Sequence, residues 1–284
     1  MRRIKYIIGL TLIVAMAVSC QKEDELSPSE GYLFPPRPDT ALEQSLYQIF
    51  GPYNSILEYR YIESLVPANW YYITPVKEDS VLSIAEFLRD FWILPLEDGS
   101  SQEFVKLHFP RLIFIVGSPA KNKDGSVVLG EAEGGTLIRF ADMDSFDRTN
   151  KEWVRKQMGT AFHEYAHLLH QTFNMPNEFR RVTPDEYVLS GWKAINLEQA
   201  RMKGMVSEYG TSSVFEDFAE IFSFYITEPD AKLNEFFIDV PGEIQLNMGK
   251  EVLRTKLRII DRFLTGIGIN VSTIRESFQA KING

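Results

Sequence analysis

The stretch Thr160-Ala161-Phe162-His163-Glu164-Tyr165-Ala166-His167 constrains this chain more than any other part of it. The sequence holds four histidines, and three of them (His163, His167 and His170) fall within eight residues. On a helix, positions i and i+4 project from one face, a single turn apart. Two neutral imidazoles at that spacing can bind one Zn²⁺, and a Glu after the first His sits beside the open coordination position. Glu164 is thereby placed to deprotonate a water whose pKa the metal has lowered. A surface cluster of two histidines and a carboxylate is the competing reading, and the flanking residues argue against it. Val154, Met158, Ala161, Tyr165 and Leu168 form one apolar row at helical spacing, and Phe162, Ala166, Leu169 and Phe173 form a second. A helix apolar over most of its circumference is buried. Its histidines and Glu then need partners, because unpaired polar burial is costly; a metal supplies them.

The N-terminus bears on location. Arg2, Arg3 and Lys5 make a positive n-region, and the apolar run Ile7 to Val18 has signal-peptide length but is short for a transmembrane helix. It ends Ala17-Val18-Ser19-Cys20, which resembles the lipobox of a bacterial lipoprotein, with Ala where Leu is commoner. The expected organisation is a lipoprotein signal peptide over 1–19, lipidation at Cys20 and a tether over 20–40. A single hydrolase domain then spans 41–284. An ordinary cleaved secretory signal with an incidental cysteine is the other reading. Cys20 is the only cysteine, so neither an intrachain disulfide nor a cysteine-based structural zinc site exists. The acidic run Gln21-Lys22-Glu23-Asp24-Glu25 resembles the export signal that sends Bacteroidetes lipoproteins to the cell surface, and it also reads as a solvated linker. Residues up to about Thr40, with Pro35-Pro36-Arg37-Pro38, read as an extended segment without a core. Removing residues 1–19 takes away Arg2, Arg3, Lys5 and no acids, which leaves 27 basic against 39 acidic residues, a net of −12. That balance argues against nucleic acid or an anionic membrane surface as the main partner.

Periodicity sketches the domain. Residues 41–110 read as mostly helical, with an amphipathic helix from Ser80 to Trp92 stopped by Pro95. Leu112 to Val116 reads as a strand, Lys123-Asp124-Gly125-Ser126 as a turn, and Ser126 to Leu129 as a second strand. After Gly134-Gly135, Thr136 to Phe140 reads as a further strand, either purely structural or an edge that takes substrate by strand addition. A long helix runs from Lys151 to Phe173, ended by Pro176. Residues 177–212 are irregular or weakly helical. A second buried helix spans Val214 to Ile226, stopped by Pro229, and an amphipathic helix near Glu251 to Leu264 closes the chain. Few strands gathered beside many helices predict an α+β fold, with a small sheet packed on the histidine helix.

A catalytic zinc usually takes three protein ligands and leaves a place for water. The extended motif HExxHxxGxxH is excluded, because position 170 is His and position 173 is Phe. His170 shares the histidine face, but roughly ten ångströms of helix separate it from His163. A supporting role beyond the metal suits it better than ligation. Phe215-Glu216-Asp217-Phe218-Ala219-Glu220-Ile221-Phe222 offers Glu216 and Glu220 on one face, with small Ala219 and Ser223 permitting close approach to the first helix. HExxH followed by a buried ExxxE helix resembles the gluzincins, including thermolysin-type enzymes and the catalytic domain of anthrax lethal factor. The resemblance implies that Glu216 is the third zinc ligand and that Glu220 fixes an imidazole by a hydrogen bond. It also implies an oxyanion-stabilising role for Tyr209, seven residues before Glu216. Two alternatives stand. Ser213-x-x-Glu216 also fits a capping box, which would hand ligation to Glu220. Tyr209-Gly210 also reads as a turn with a half-buried ring. Tyr165 reads as packing, and Asp217 as a cap or salt-bridge partner.

The lipobox, the acidic segment and the second helix together resemble the substrate-import-associated zinc metallohydrolase lipoproteins of Bacteroidetes. That resemblance implies one Zn²⁺ ion, a peptide or protein substrate, an outer-membrane and surface-exposed location, and partnership with a nutrient-import complex. A non-catalytic zinc-containing lipoprotein that captures peptide or glycan is the rival reading; Glu164 argues against it, since a structural site needs no general base. Amidase or other non-peptide hydrolysis would use the same residues.

Overall fold

The computed structural model describes residues 39–284, apart from 123, 124, 126, 134 and 135. The signal segment, Cys20, the acidic run, Gly134-Gly135 and most of the expected turn around Gly125 therefore lie outside the described residues. The element that carries the histidines is helix α5, and the order leading to it is simple. Helix α1 (Ala41–Phe50) precedes strand β1 (Ile56–Glu58), which the expected run of helices over 41–110 did not contain. Helices α2 (Glu78–Leu88), α3 (Leu94–Asp98) and α4 (Gln102–His108) follow. Pro95 does not stop α2 as expected. It sits in the first turn of α3, after a π-helical turn at Arg89–Ile93. Proline removes one ladder donor and crowds the carbonyl four residues back, and a widened turn there absorbs both effects.

Strands β2 (Leu112–Ile115), β3 (Ala120–Lys121), β4 (Val127–Val128), β5 (Gly130–Glu133) and β6 (Leu137–Phe140) complete the strands among the described residues. The main sheet has the order β1-β2-β6-β5, with β1, β2 and β6 parallel and β5 antiparallel to β6. An edge position for residues 136–140 is thus corrected: β6 is interior and β5 takes the edge. The pairing of Gly130 with Phe140 and of Glu133 with Leu137 folds β5 back along β6. All four residues of β6 are buried, as an interior strand covered on both faces must be. Gly130 lets β5 lie directly on α5, because a Cβ there would come within 2.3 Å of Thr160 Cγ2.

Helix α5 (Lys151–Phe173) starts where Asn150 Oδ1 accepts the backbone N–H groups of Glu152 and Trp153, both at 3.1 Å. It ends at Asn174, whose φ of 59° leaves the helical region before Pro176. Residues 177–212 hold only short helices, α6 (Asn177–Arg180) and α7 (Leu197–Met202), among turns. Helix α8 (Val214–Thr227) is capped by Ser213 and packs along α5. Phe162 meets Phe222 edge-on at 6.3 Å, and Ala219 is fully buried. Phe162, Phe218 and Phe222 are fully buried, each contributing roughly 2–3 kcal/mol before the entropy of ordering is counted. On the sheet side, Trp92 touches Phe140 at 5.7 Å and Tyr165 at 6.5 Å, joining β6 to α5 through one ring.

Helices α9 (Asp230–Phe237), α10 (Ile244–Gly266) and α11 (Val271–Asn283) finish the chain. α10 starts well before the expected Glu251, because its first turns carry exposed Ile244 and Met248 and no buried row. α11 was not expected, although Val271, Ile274, Phe278 and Ile282 bury one helical face behind an Asn270 cap. The architecture is mixed α and β, with a small sheet laid against a helical majority. No helix among the described residues is long and apolar enough to cross a membrane.

A buried ion pair ties α10 to the start of α8. Lys256 Nζ lies 2.6 Å from Asp217 Oδ2, with both side chains fully enclosed. Lys256 also donates to Gly204 O at 3.0 Å, and the Tyr187 hydroxyl donates to Asp217 at 2.8 Å. Asp217 is thus a salt-bridge partner, not a cap. Burial raises the Asp217 pKa and lowers that of Lys256, so each charge depends on the other. Lys256→Met strands the Asp217 carboxylate and should cost about 3–5 kcal/mol in urea unfolding at neutral pH. A loss below about 1 kcal/mol would show that the pair does not anchor α8.

Candidate metal centre

Helix α5 presents His163 and His167 one turn apart, and α8 brings Glu216 across to them. His163 Nε2 lies 3.0 Å from Glu216 Oε2, His167 Nε2 lies 3.2 Å from the same oxygen, and the two Nε2 atoms are 3.1 Å apart. Ligands held tetrahedrally at zinc bond lengths would be separated by roughly 3.3 Å, so this triangle has the size of a zinc coordination face. Its chemistry also matches, because the outer nitrogens of both rings are engaged elsewhere. His163 Nδ1 lies 2.8 Å from Glu220 Oε1 and donates to it. His167 Nδ1 lies 2.9 Å from His170 Nε2. With both Nδ1 atoms donating, both Nε2 lone pairs face the Glu216 carboxylate. Three acceptors then converge with no hydrogen between them, which is unfavourable without a proton or a cation.

Ser213 Oγ accepts the Glu216 backbone N–H at 3.3 Å, so this serine does cap α8. The Glu216 carboxylate does not return to Ser213 to close a capping box; it faces the histidines. Glu220, one turn on, holds the outer edge of His163. His170 is packed between the Phe215 and Phe218 rings at 5.0 and 5.9 Å. Burial, followed by the neighbouring His167, pulls its pKa down to about 4, so at neutral pH it is uncharged. Burial alone would lower His163 as well, but hydrogen bonds to Glu216 and Glu220 outweigh it and raise its pKa to about 10. The same bonds from His163 and His167 overcome burial at Glu216 and hold its carboxyl far below the usual range.

These groups open onto a cleft of about 1500 Å³ lined also by Glu164 and Tyr209. The Tyr209 ring lies 6.1 Å from that of His163, nearly parallel to it, and Trp192 abuts it edge-on at 5.1 Å. Burial first, then the negative charges of Glu216, Glu164 and Glu220, push the Tyr209 pKa well above its ordinary value. Its hydroxyl therefore stays a donor. Tyr165 points away from the cleft into the core against Trp92, as its place in an apolar row implies. Trp192 has no distinguishing sequence signal, since it comes from a turn-rich segment without periodicity. Edge strand β5, whose Gly130 and Glu131 line the cleft, could have been found only by pairing the strands in space.

In the metal-free protein His163 keeps a proton up to about pH 10, whereas a zinc ligand must be deprotonated. Zinc binding near pH 7.5 should therefore release about one proton, and affinity should rise about tenfold per pH unit between pH 7 and 9. Calorimetry in buffers of different ionisation enthalpy measures both, and a pH-independent affinity would contradict the assignment.

A family model described as "Putative zinc-binding metallo-peptidase" matches residues 36–271. The chain is also similar to a crystal structure titled as a putative zinc-binding metallo-peptidase from Bacteroides caccae, with a TM-score of 0.72 at 23% identity. The match covers 85% of this chain and 91% of that one. At that identity the likeness shows a shared fold. Among curated proteins, none matches.

Proposed function

The chain belongs to the family of zinc-binding metallo-peptidases that this family model defines, and from that premise we propose that it hydrolyses peptide bonds. His163, His167 and Glu216 would hold one zinc ion. The observation that carries the reading is the convergence of these three acceptors in a cleft that Glu164 also lines. When bound, zinc supplies Lewis acidity, lowering the pKa of water at its open position and polarising a carbonyl oxygen. Glu164 takes the proton from the attacking water as its oxygen bonds to the carbonyl carbon. It then delivers that proton to the amide nitrogen as the C–N bond breaks. Tyr209, kept protonated, donates its hydroxyl to the oxygen that gains negative charge. Glu220 and His170 hold the two imidazoles in the tautomer that turns Nε2 inward.

The cleft exceeds the roughly 300–1,000 Å³ of a small-molecule pocket and suits an extended chain. β5 offers an edge beside it on which a peptide backbone can form main-chain hydrogen bonds. The N-terminal features of the sequence support a lipid anchor at Cys20, an outer-membrane and surface location, and service to a nutrient-import complex that takes up the products.

Glu164→Gln should keep one equivalent of zinc while its cleavage of a mixed peptide library falls about 10²–10⁴-fold. If zinc-loaded wild type cleaves nothing in that library, the protein is a binder and not a peptidase. Separately, Cys20→Ala should move the chain from the membrane fraction to the soluble fraction on cell breakage; unchanged membrane retention would rule out the lipid anchor.

A further inference from the structure

Gly159 occupies the interior of α5, one turn before His163 and so about 6 Å from it along the axis. Glycine there weakens the helix relative to alanine, and packing does not demand it. Among the described residues, a Cβ at 159 would meet only Thr227 Oγ1 at 4.0 Å, an ordinary contact. By contrast, a Cβ at Gly249 in α10 would strike Arg201 O at 2.0 Å. Gly159 therefore leaves space, and that space opens into the cleft.

The position of the space is fixed by its neighbours. Thr160, the next residue, lies against Gly130 of β5, while Gly159 faces Thr227 of α8. The gap thus lies on the α8 side of the cleft, one turn of α5 before His163 and at the Thr227 end of α8. Its surroundings have few free polar groups. The hydroxyls of Thr160, Ser223 and Thr227 donate to carbonyls of their own helices, Lys156 O at 3.3 Å, Glu220 O at 3.2 Å and Ser223 O at 2.8 Å. Phe224 adds an aromatic surface to the same cleft. Among the charged residues lining the cleft, Glu152, Arg155 and Lys156 lie on the turns of α5 before Gly159 and Glu228 lies just past Thr227, two of each sign.

We propose that Gly159 determines specificity: the space it leaves on α5 takes a large uncharged side chain of the peptide residue beside the hydrolysed bond. This deepens the peptidase reading and rests on it. The test uses zinc-loaded protein carrying Glu164→Gln, so that peptides bind without being cut, and a panel of end-capped hexapeptides. Each position in turn carries Gly, Ala, Leu or Phe. With Gly159 present, Leu or Phe at one position should tighten binding over Gly. Adding Gly159→Leu should weaken those complexes about tenfold or more and leave the Gly and Ala peptides nearly unchanged. Gly159→Ala should raise the melting temperature and give an intermediate preference. A size preference unaltered by Gly159→Leu, or no peptide binding at all, overturns the proposal. So does failure of Gly159→Leu to fold, because the position would then be packed. If size-selected binding holds but Gly159-containing wild type cleaves none of the bound peptides, hydrolysis falls and the pocket stands.

Discussion

Everything near the cleft depends on one crowded contact, where two imidazole lone pairs and a carboxylate meet between α5 and α8. Left alone, such a cluster repels itself or captures a proton, and the high pKa of His163 is the sign of that capture. The helices do not come together because of these groups. They come together through Phe162, Phe218, Ala219 and Phe222, whose burial supplies several kcal/mol. Apolar packing thus holds polar groups in an arrangement that they would not adopt unaided, and a divalent cation relieves it.

Around that contact lies a layer that removes rotational freedom. Glu220 fixes His163, and His170 fixes His167, each through the nitrogen that faces away from the centre. Further out, the Lys256–Asp217 pair pins the residue next to Glu216 to α10. The same pair reaches Tyr187, and the Val188 N–H bonds Thr211 O beside Tyr209. The two sides of the cleft floor therefore share one buried anchor.

The sequence carried local geometry well and long-range geometry poorly. His163 and His167 share a face because helical periodicity is a property of a few residues, and the apolar rows around them announced a buried helix. The approach of a second helix could be anticipated from Ala219 and Ser223. Which of Glu216 and Glu220 would meet the two Nε2 atoms could not be read from spacing, because both lie on one stripe of α8 and both reach the histidines. Strand order was less legible still. Residues 137–140 look like any short strand, and only pairing with β5 on one side and β2 on the other makes β6 interior. Pro95 misled for a similar reason, since a π turn can absorb a proline without ending a helical run. The start of α10 was hidden because its first turns bury little.

The cleft that results has a metal face, an edge strand and a glycine-made gap, each contributed by a different stretch of chain and held by the same core. The most direct test of this account is to locate zinc by anomalous diffraction in crystals of the zinc-loaded protein. One ion should be bonded to His163 Nε2, His167 Nε2 and the Glu216 carboxylate, about 2.0–2.2 Å from each, with Glu164 beside its open position. Zinc bonded to Glu220 in place of Glu216, or found outside the cleft, would contradict it.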